Sequence, residues 1–132
     1  MNLHPAWEDF AAATELRVAY GDRPLVVLND ADAAGLAEAR HGAGRGCDGT
    51  TLMLTFGTGI GSALLSHGTL VRGAEFGQLM VDGRPAERLA AAVQRTASGL
   101  TWEQWAAAVN RYLAVVEGLA ACSSSGRRAP HR

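Results

Sequence analysis

The segment LTFGTGIGSAL, Leu54 to Leu64, constrains the fold more than any other stretch, because it places three glycines at alternate positions between two apolar runs. Each glycine weakens a strand interior by roughly 0.5–1 kcal/mol. Gly57, Gly59 and Gly61 therefore indicate a turn in which the backbone approaches something closely or adopts positive φ angles. An anion held by bare backbone N–H groups is one such partner. An ordinary glycine-rich hairpin is the alternative.

The context of this turn excludes two common phosphate motifs. GTGIG is followed neither by the Lys-Ser/Thr pair of a P-loop nor by a helix, so the P-loop and dinucleotide-binding interpretations both fail. TTLMLTF and IGSALL instead predict two strands joined by the glycines, and a third short strand follows HGT. Residues 50–72 are thus predicted to form an antiparallel meander, followed by a shaped loop and a short strand within GAEFGQLMVDG.

The N-terminal third predicts a helix, a strand and a second helix. Apolar residues at helical spacing favour a helix over 5–20. The run LVVL, Leu25 to Leu28, is short, apolar and β-branched, which is typical of a buried strand. From Ala31 to about Arg40 the sequence is rich in helix formers, with Asp30 as the predicted cap.

The C-terminal third is dominated by one predicted helix. Thr101 and Gln104 form a capping box. One apolar face over the next four turns comprises Trp102, Trp105, Val109, Tyr112, Leu113 and Val116. A shorter helix is predicted over 85–94, and the polar segment 122–132 is predicted to be disordered.

Composition narrows the classes of function. The chain has 132 residues, the size of one domain, and a formal net charge of −1, which gives no electrostatic case for nucleic-acid binding. Cys47 and Cys122 lie far apart, without the spacing of a zinc site or a disulfide framework, so a reducing cytoplasm is expected. No signal peptide and no apolar run of membrane-spanning length is found, so no membrane association is expected.

Three groups of polar residues are candidates for a functional site. Asn29 and Asp30 follow the predicted strand, where open α/β sheets bind ligands, although a helix cap is the better explanation of an isolated Asn-Asp pair and does not exclude a catalytic role. Glu75 stands between glycines in a predicted loop, where it is either a ligand or a solvated acid. The loop containing Arg40, His41 and Arg45 could meet a polyanion or be merely solvated.

Taken together and in this order, VLNDADAAGLAEARHGAGRG, LTFGTGIGSAL and AEFGQLMVDG resemble the ROK family of bacterial sugar kinases, and within it the polyphosphate-dependent glucokinases. The resemblance extends from about residue 7 to residue 119. It implies an α/β protein with part of an actin-like, ribonuclease-H-like kinase fold. It also implies glucose as acceptor, polyphosphate or ATP as phosphoryl donor, and Mg²⁺. No zinc is expected, because the family's cysteine-rich motif is missing, and a homodimer remains open.

The same resemblance assigns roles to individual residues. It implies that Asp30 takes the proton from the glucose 6-hydroxyl and that Asn29 binds neighbouring hydroxyls. Glu75 would bind hydroxyls on the opposite side of the ring, together with Gln78, which stands where the family usually has histidine. Gly57, Thr58, Gly59 and Gly61 would line the donor phosphates, and Arg45 is the further candidate phosphate contact.

The departures from the family pattern lead us to expect a fragment. The sequence contains neither the family's early DxGGT-type motif nor its later glycine-rich donor segment. By this resemblance, residues 1–48 end the first kinase lobe, 49–121 begin the second, and 122–132 form a tail. We therefore expect little or no kinase activity from the chain alone. A non-catalytic sugar-binding module and a degenerate remnant are the alternatives.

Overall fold

The computed structural model describes residues 10–124 and contains five helices and five strands within that range. In chain order these are α1 (Ala12–Tyr20), α2 (Asp30–His41), β1 (Thr50–Phe56), β2 (Ile60–Ser66), β3 (Thr69–Val71), β4 (Met80–Val81), β5 (Arg84–Pro85), α3 (Glu87–Ala90), α4 (Ala92–Ala97) and α5 (Trp102–Ser124). A 3₁₀ turn, Phe76–Gln78, precedes β4. The mixed α/β character expected from the sequence is confirmed.

The predicted meander over 50–72 is confirmed as a three-stranded antiparallel sheet in the order β1-β2-β3. Phe56 pairs with Ile60, so residues 57–59 alone connect the first two strands. The Gly57 N–H donates to the Gly59 carbonyl at 2.9 Å and closes this connection. A second, two-stranded sheet pairs β4 with β5.

Helix α2 packs against β2 through residues that have almost no side chain. The ideal Cβ of Gly61 would lie 3.0 Å from the Ala31 Cβ, and that of Gly35 would overlap the Ala63 Cβ. Four residues of helix rise about 6 Å and two residues of strand about 6.7 Å, so the pairs 31–61 and 35–63 keep step with one another. The helix and the strand therefore run side by side in close contact.

The main core lies between β2, the α3–α4 segment and α5. Its buried members are Ile60, Val81, Ala86, Leu89, Ala90, Ala91, Ala108 and Tyr112. The capping box is confirmed: the Thr101 N–H donates to Gln104 Oε1 at 2.9 Å, and the Gln104 N–H donates to Thr101 Oγ1 at 3.2 Å. Trp102 belongs to the predicted apolar face of α5 but is 63% exposed. The Arg95 guanidinium lies 4.1 Å from the centroid of its ring.

The prediction of a buried strand at Leu25 to Leu28 is wrong. This segment is irregular, and Val26 and Val27 are 69% and 45% exposed. A buried strand needs neighbouring strands to satisfy its backbone, and within residues 10–124 no strand pairs with this segment. The composition of Leu25 to Leu28 favours a strand but does not indicate whether a neighbouring strand exists.

The predicted helix over 85–94 is divided into α3 and α4. Ala91 has an extended backbone, with φ −57° and ψ 147°. The Trp105 indole N–H donates to the Ala90 and Ala91 carbonyls at 3.0 and 3.3 Å, and the Val93 N–H donates to the Gly57 carbonyl at 3.1 Å. These long-range bonds hold the break and override the local helix propensity.

The two ends of the chain were predicted less accurately. The first helix covers Ala12–Tyr20, and the predicted start at residue 5 lies outside the described residues. Helix α5 continues to Ser124, so the backbone of 122–124 is helical where disorder was predicted, and 125–132 lie outside the described residues. Within the described part of the chain, no helix has the length and apolarity needed to cross a membrane.

Tyr112 is fully buried, and its hydroxyl has no hydrogen-bond partner among the described residues. Replacing it with phenylalanine is expected to leave the free energy of unfolding at pH 7 unchanged or raise it by up to about 1 kcal/mol, because an unpaired polar atom is removed. Urea unfolding of Tyr112→Phe, beside the exposed control Tyr20→Phe, measures this. A loss above about 1 kcal/mol would contradict the unpaired hydroxyl.

The same substitution is expected to change the alkaline limit of stability. Burial raises the pKa of Tyr112 from 10.0 to about 12, so the folded state holds this proton more tightly than the unfolded state. The resulting stabilisation is complete below pH 10 and is lost as the pH rises towards 12. Since the chain contains no lysine, few other groups titrate in this window. Tyr112→Phe should flatten this part of the pH profile of stability, whereas Tyr20→Phe should not.

Candidate active site

A polar pocket of about 230 Å³ opens at the glycine turn, where α2, the β1–β2 connection and α3 meet. It is lined by Asp30, Thr55, Gly57, Thr58, Gly59, Ile60, Gly61 and Glu87. The structure thus brings together Asp30 and all four of the predicted phosphate-binding residues of the turn. Two acidic residues and two threonines thus line the same pocket as the glycines.

The N-terminus of α2 holds Asp30 at this pocket. The sequence predicted Asp30 as the helix cap, but the cap is Asn29, whose Oδ1 accepts from the Asp32 N–H at 2.6 Å. Asp30 is the first helical residue, and its Oδ1 accepts from the Ala31 N–H at 2.9 Å. Its carboxylate lies at the positive end of the helix dipole, which stabilises a negative charge. With Asn29 Oδ1 occupied by the cap, its amide N–H groups remain for other partners.

The three glycines of the turn serve different purposes, and none of them has a positive φ angle. At Gly61 a Cβ would lie 2.5 Å from Thr55 Oγ1 and 3.0 Å from the Ala31 Cβ, so the packing of α2 requires glycine there. At Gly59 a Cβ would lie 3.1 Å from Glu87 Oε2. At Gly57 it would meet nothing within 4 Å. Close packing within the chain therefore accounts for Gly61 and partly for Gly59, and open space remains at Gly57.

The loop carrying Glu75 and Gln78 is fastened to β2 beside this pocket. Ser62 Oγ donates to the Ala74 carbonyl at 2.5 Å and accepts from the Phe76 N–H at 3.0 Å. A Cβ on Gly77 would collide with the carbonyl oxygen of Ile60, a residue that lines the pocket. The loop is therefore packed directly on the strand that leaves the glycine turn, with Glu75 and Gln78 both exposed.

Glu87 is the functional candidate that sequence reasoning missed. It is the first residue of α3, lies opposite the turn and is half-buried, with its Oε2 beside Gly59. Its position depends on the break at Ala91 and on the fold of β4 and β5, which no local pattern indicates. Its sequence context, RPAERLAAAV, is that of an ordinary acid in the first turn of a helix and gave no signal of a site.

Several predicted site residues are not among those lining the pocket. Asn29 is used at least in part as the helix cap, and Glu75 and Gln78 lie on the neighbouring loop. Asp30 begins α2, and Arg45 follows its other end. The twelve residues of this helix correspond to a length of about 18 Å. The structure therefore does not bring Arg45 to the glycine turn.

The polar side chains that line the pocket, those of Asp30, Thr55, Thr58 and Glu87, carry only oxygen atoms as possible metal ligands. Oxygen is the ligand type that Mg²⁺ prefers. The described residues contain no group of three or more His, Cys, Asp or Glu side chains arranged to hold a metal. Magnesium commonly uses only one or two carboxylates and completes its shell with water and substrate phosphates. Asp30 and Glu87 meet that smaller requirement.

Comparison with known proteins gives a consistent result. A model of the ROK family matches residues 1–83. The polyphosphate glucokinase of Mycobacterium tuberculosis (strain CDC 1551 / Oshkosh) is 43% identical over 116 residues, which cover 88% of this chain and 44% of that protein. The chain thus spans less than half the length of this curated relative.

Two solved structures are also similar. The inorganic polyphosphate/ATP-glucomannokinase from Arthrobacter sp. strain KM superposes with a TM-score of 0.80 at 48% identity, covering 89% of this chain and 46% of that one. The ROK hexokinase from Thermus thermophilus gives a TM-score of 0.57 at 32% identity, covering 70% of this chain and 38% of that one. The arrangement of α2 and the meander described above is therefore part of a fold seen in sugar kinases.

Proposed function

Because the chain belongs to the ROK family, we propose that the pocket at the glycine turn is the phosphoryl-transfer site of a cytoplasmic glucokinase that uses polyphosphate or ATP. The observation that carries this proposal is the convergence of Asp30 with Gly57, Thr58 and Gly59 on one pocket. A base for a hydroxyl and a backbone surface open to phosphate are the two parts that such a reaction requires. The relatives named above, a polyphosphate glucokinase and a polyphosphate/ATP-glucomannokinase, supply the substrates proposed.

In the proposed reaction the glucose 6-hydroxyl lies beside Asp30. The carboxylate accepts the hydroxyl proton while the oxygen attacks the terminal phosphorus of the donor. The bond from that phosphorus to the bridging oxygen breaks, and the shortened polyphosphate or ADP leaves with its electron pair. Positioning and charge stabilisation provide most of the catalysis in such transfers, so a weak base at the correct place is sufficient.

The remaining residues bind the sugar and the donor. We propose that the free amide N–H groups of Asn29 donate to sugar hydroxyls, and that Glu87 accepts from them across the pocket. Glu75 and Gln78 complete the opposite side from their loop. The open side of Gly57 lets donor phosphates approach the turn. Asp30 and Glu87 are the residues that would hold Mg²⁺, which would supply positive charge to offset that of the phosphates.

The proposal includes the larger fold. We infer an actin-like, ribonuclease-H-like kinase architecture, in which residues 1–48 end one lobe and 49–121 begin the next. The contact of α2 with β2 then crosses that boundary and fixes Asp30 relative to the glycine turn. A residue from each lobe would meet at the reacting phosphate.

Glucose is expected to raise the melting temperature of the chain, because a ligand that binds only the folded state stabilises it by about 2.7 kcal/mol at 100 times its Kd. Thermal unfolding with D-glucose, against L-glucose at equal concentration to account for general sugar effects, measures this. A non-catalytic sugar-binding module would give the same shift without turnover. An equal response to both enantiomers would contradict glucose binding.

Two variants test whether the glucose-dependent rise in melting temperature arises from binding at the candidate active site. Asn29→Asp keeps an equally good helix cap but removes the amide donors, so the basal melting temperature should hold while the glucose shift falls. Glu87→Gln should also reduce the shift. Glu117→Gln, on the exposed side of α5, is the matched control and should retain it.

A further inference from the structure

A second pocket, of about 410 Å³, lies between β5, α3, α4 and α5 and collects three arginines. Arg84 comes from β5, Arg88 from α3 and Arg111 from α5. Three separate elements thus each contribute an arginine to the lining of one concavity. We call it the arginine pocket.

The charge of the arginine pocket is largely uncompensated. No carboxylate is among its lining residues. Within residues 10–124 neither Arg84 nor Arg88 has an ion-pair partner, and Arg111 has one, with its Nε 3.6 Å from Asp82 Oδ2. The chain as a whole has a formal charge of −1, so this concentration of cations is local and does not reflect a basic protein. A concavity lined by one sign of charge attracts ions of the other sign.

The neutral groups of the arginine pocket also offer donors. Gln104 Oε1 is already used by the Thr101 N–H in the capping box, so its amide N–H groups remain available. Gln94 and Ser98 add a second amide and a hydroxyl to the lining. Guanidinium forks match the geometry of phosphate oxygens and bind them through paired hydrogen bonds. The arrangement therefore suits an anion with several phosphate groups.

The arginine pocket shares a wall with the candidate active site. Glu87 lines the active-site pocket, and the next residue, Arg88, lines the arginine pocket. Likewise the Val93 N–H donates to the carbonyl of Gly57 in the turn, and the next residue, Gln94, lines the arginine pocket. The α3–α4 segment thus separates a pocket with two carboxylates and no cation from one with three cations and no carboxylate.

We propose that the arginine pocket binds the part of a linear polyphosphate donor that extends beyond the phosphates held at the glycine turn. The identity of the anion rests on the proposed function, whereas the site itself rests on the charges and donors of the pocket. A polymer consumed at one end needs a binding surface for the rest of its length. The active-site pocket offers it no side-chain cation.

Equilibrium binding of long-chain polyphosphate to the full chain at low ionic strength tests the site. The triple variant R84Q/R88Q/R111Q is expected to lose affinity by about tenfold or more, because charge-assisted hydrogen bonds are removed. The matched control R17Q/R23Q/R72Q removes the same number of exposed charges elsewhere and should change affinity by less than about twofold. Since the one ion pair lost is exposed, the triple variant should fold normally, which its thermal unfolding verifies. R84K/R88K/R111K keeps the charges without the forks and should bind with intermediate affinity.

Equal losses in the two glutamine variants, or no binding of polyphosphate by the unsubstituted chain, would overturn the proposal. ATP and tripolyphosphate have only three phosphates, which the proposal places at the glycine turn, so they should lose less affinity in R84Q/R88Q/R111Q than the long polymer does. An equal loss for all three ligands would overturn the role in binding the extended chain. The glucose-dependent melting shift should survive in this variant, so failure of the proposed function and failure of the arginine pocket are separately visible.

Discussion

Replacing Gly35 with alanine is expected to lower the free energy of unfolding by about 1–3 kcal/mol, although alanine is the better helix former. Gly35 is buried in α2, where an added Cβ would overlap the Ala63 Cβ and lie 3.5 Å from Leu65 Cδ1. The Ala63 methyl is attached directly to the backbone of β2 and cannot rotate away. The helix must therefore move off the sheet, and urea unfolding measures the resulting loss.

Gly118→Ala is the matched control for this prediction. Gly118 lies inside α5, is exposed, and has nothing within 4 Å of an added Cβ. The same substitution should there raise the free energy of unfolding by about 0.5–1 kcal/mol through helix propensity alone. The two changes are thus expected to have opposite signs. A stabilising Gly35→Ala would contradict the close packing of α2 on β2.

This packing also has a consequence for the candidate site. Asp30 begins the helix whose Ala31 and Gly35 rest on Gly61 and Ala63. A displacement of α2 by the added methyl would therefore also move the carboxylate relative to the glycine turn. In Gly35→Ala, we expect the glucose-dependent melting shift to decrease along with stability, whereas in Gly118→Ala it should not.

Elements defined by neighbours in sequence were predicted well. The meander follows from two apolar runs interrupted by Gly57, Gly59 and a second turn, and its register needs no distant information. The capping box likewise depends on Thr101 and Gln104 alone. In both cases the interactions that decide the structure lie within a few residues of one another.

Features that depend on distant contacts were not predicted. The apolar segment Leu25 to Leu28 reads as a strand, but a strand exists only when another pairs with it. The break at Ala91 requires the Trp105 indole, 14 residues away, and it places Glu87 in the pocket. In the glycine turn, the requirement for Gly61 arises from the close approach of Thr55 and Ala31 rather than from a ligand. The spacing of apolar residues along the chain does not indicate contacts between residues that are distant in sequence.

Whatever glucose 6-phosphate the chain forms from glucose and polyphosphate, at the low turnover expected of it alone, should fall by about 10²–10⁴-fold in Asp30→Asn, the usual contribution of a general base. Asparagine preserves the shape of the side chain and can still accept the hydrogen bond from the Ala31 N–H. It cannot take up the hydroxyl proton. The loss should therefore appear in kcat, with a much smaller change in the KM for glucose, as expected for an interaction that matters mainly in the transition state.

The outcome is decided by comparison with Asp22→Asn, an exposed acid in the turn after α1 that makes the same change in net charge. Turnover should be measured with Mg²⁺ present and with polyphosphate and ATP as separate donors. A loss with both donors places the effect on the hydroxyl, which is common to the two reactions, whereas a loss with one donor alone would place it on donor binding. Equal turnover in Asp30→Asn and Asp22→Asn would remove Asp30 from the catalytic role, because the only structural cost of asparagine there is the small helix-dipole contribution of about 0.3–1 kcal/mol.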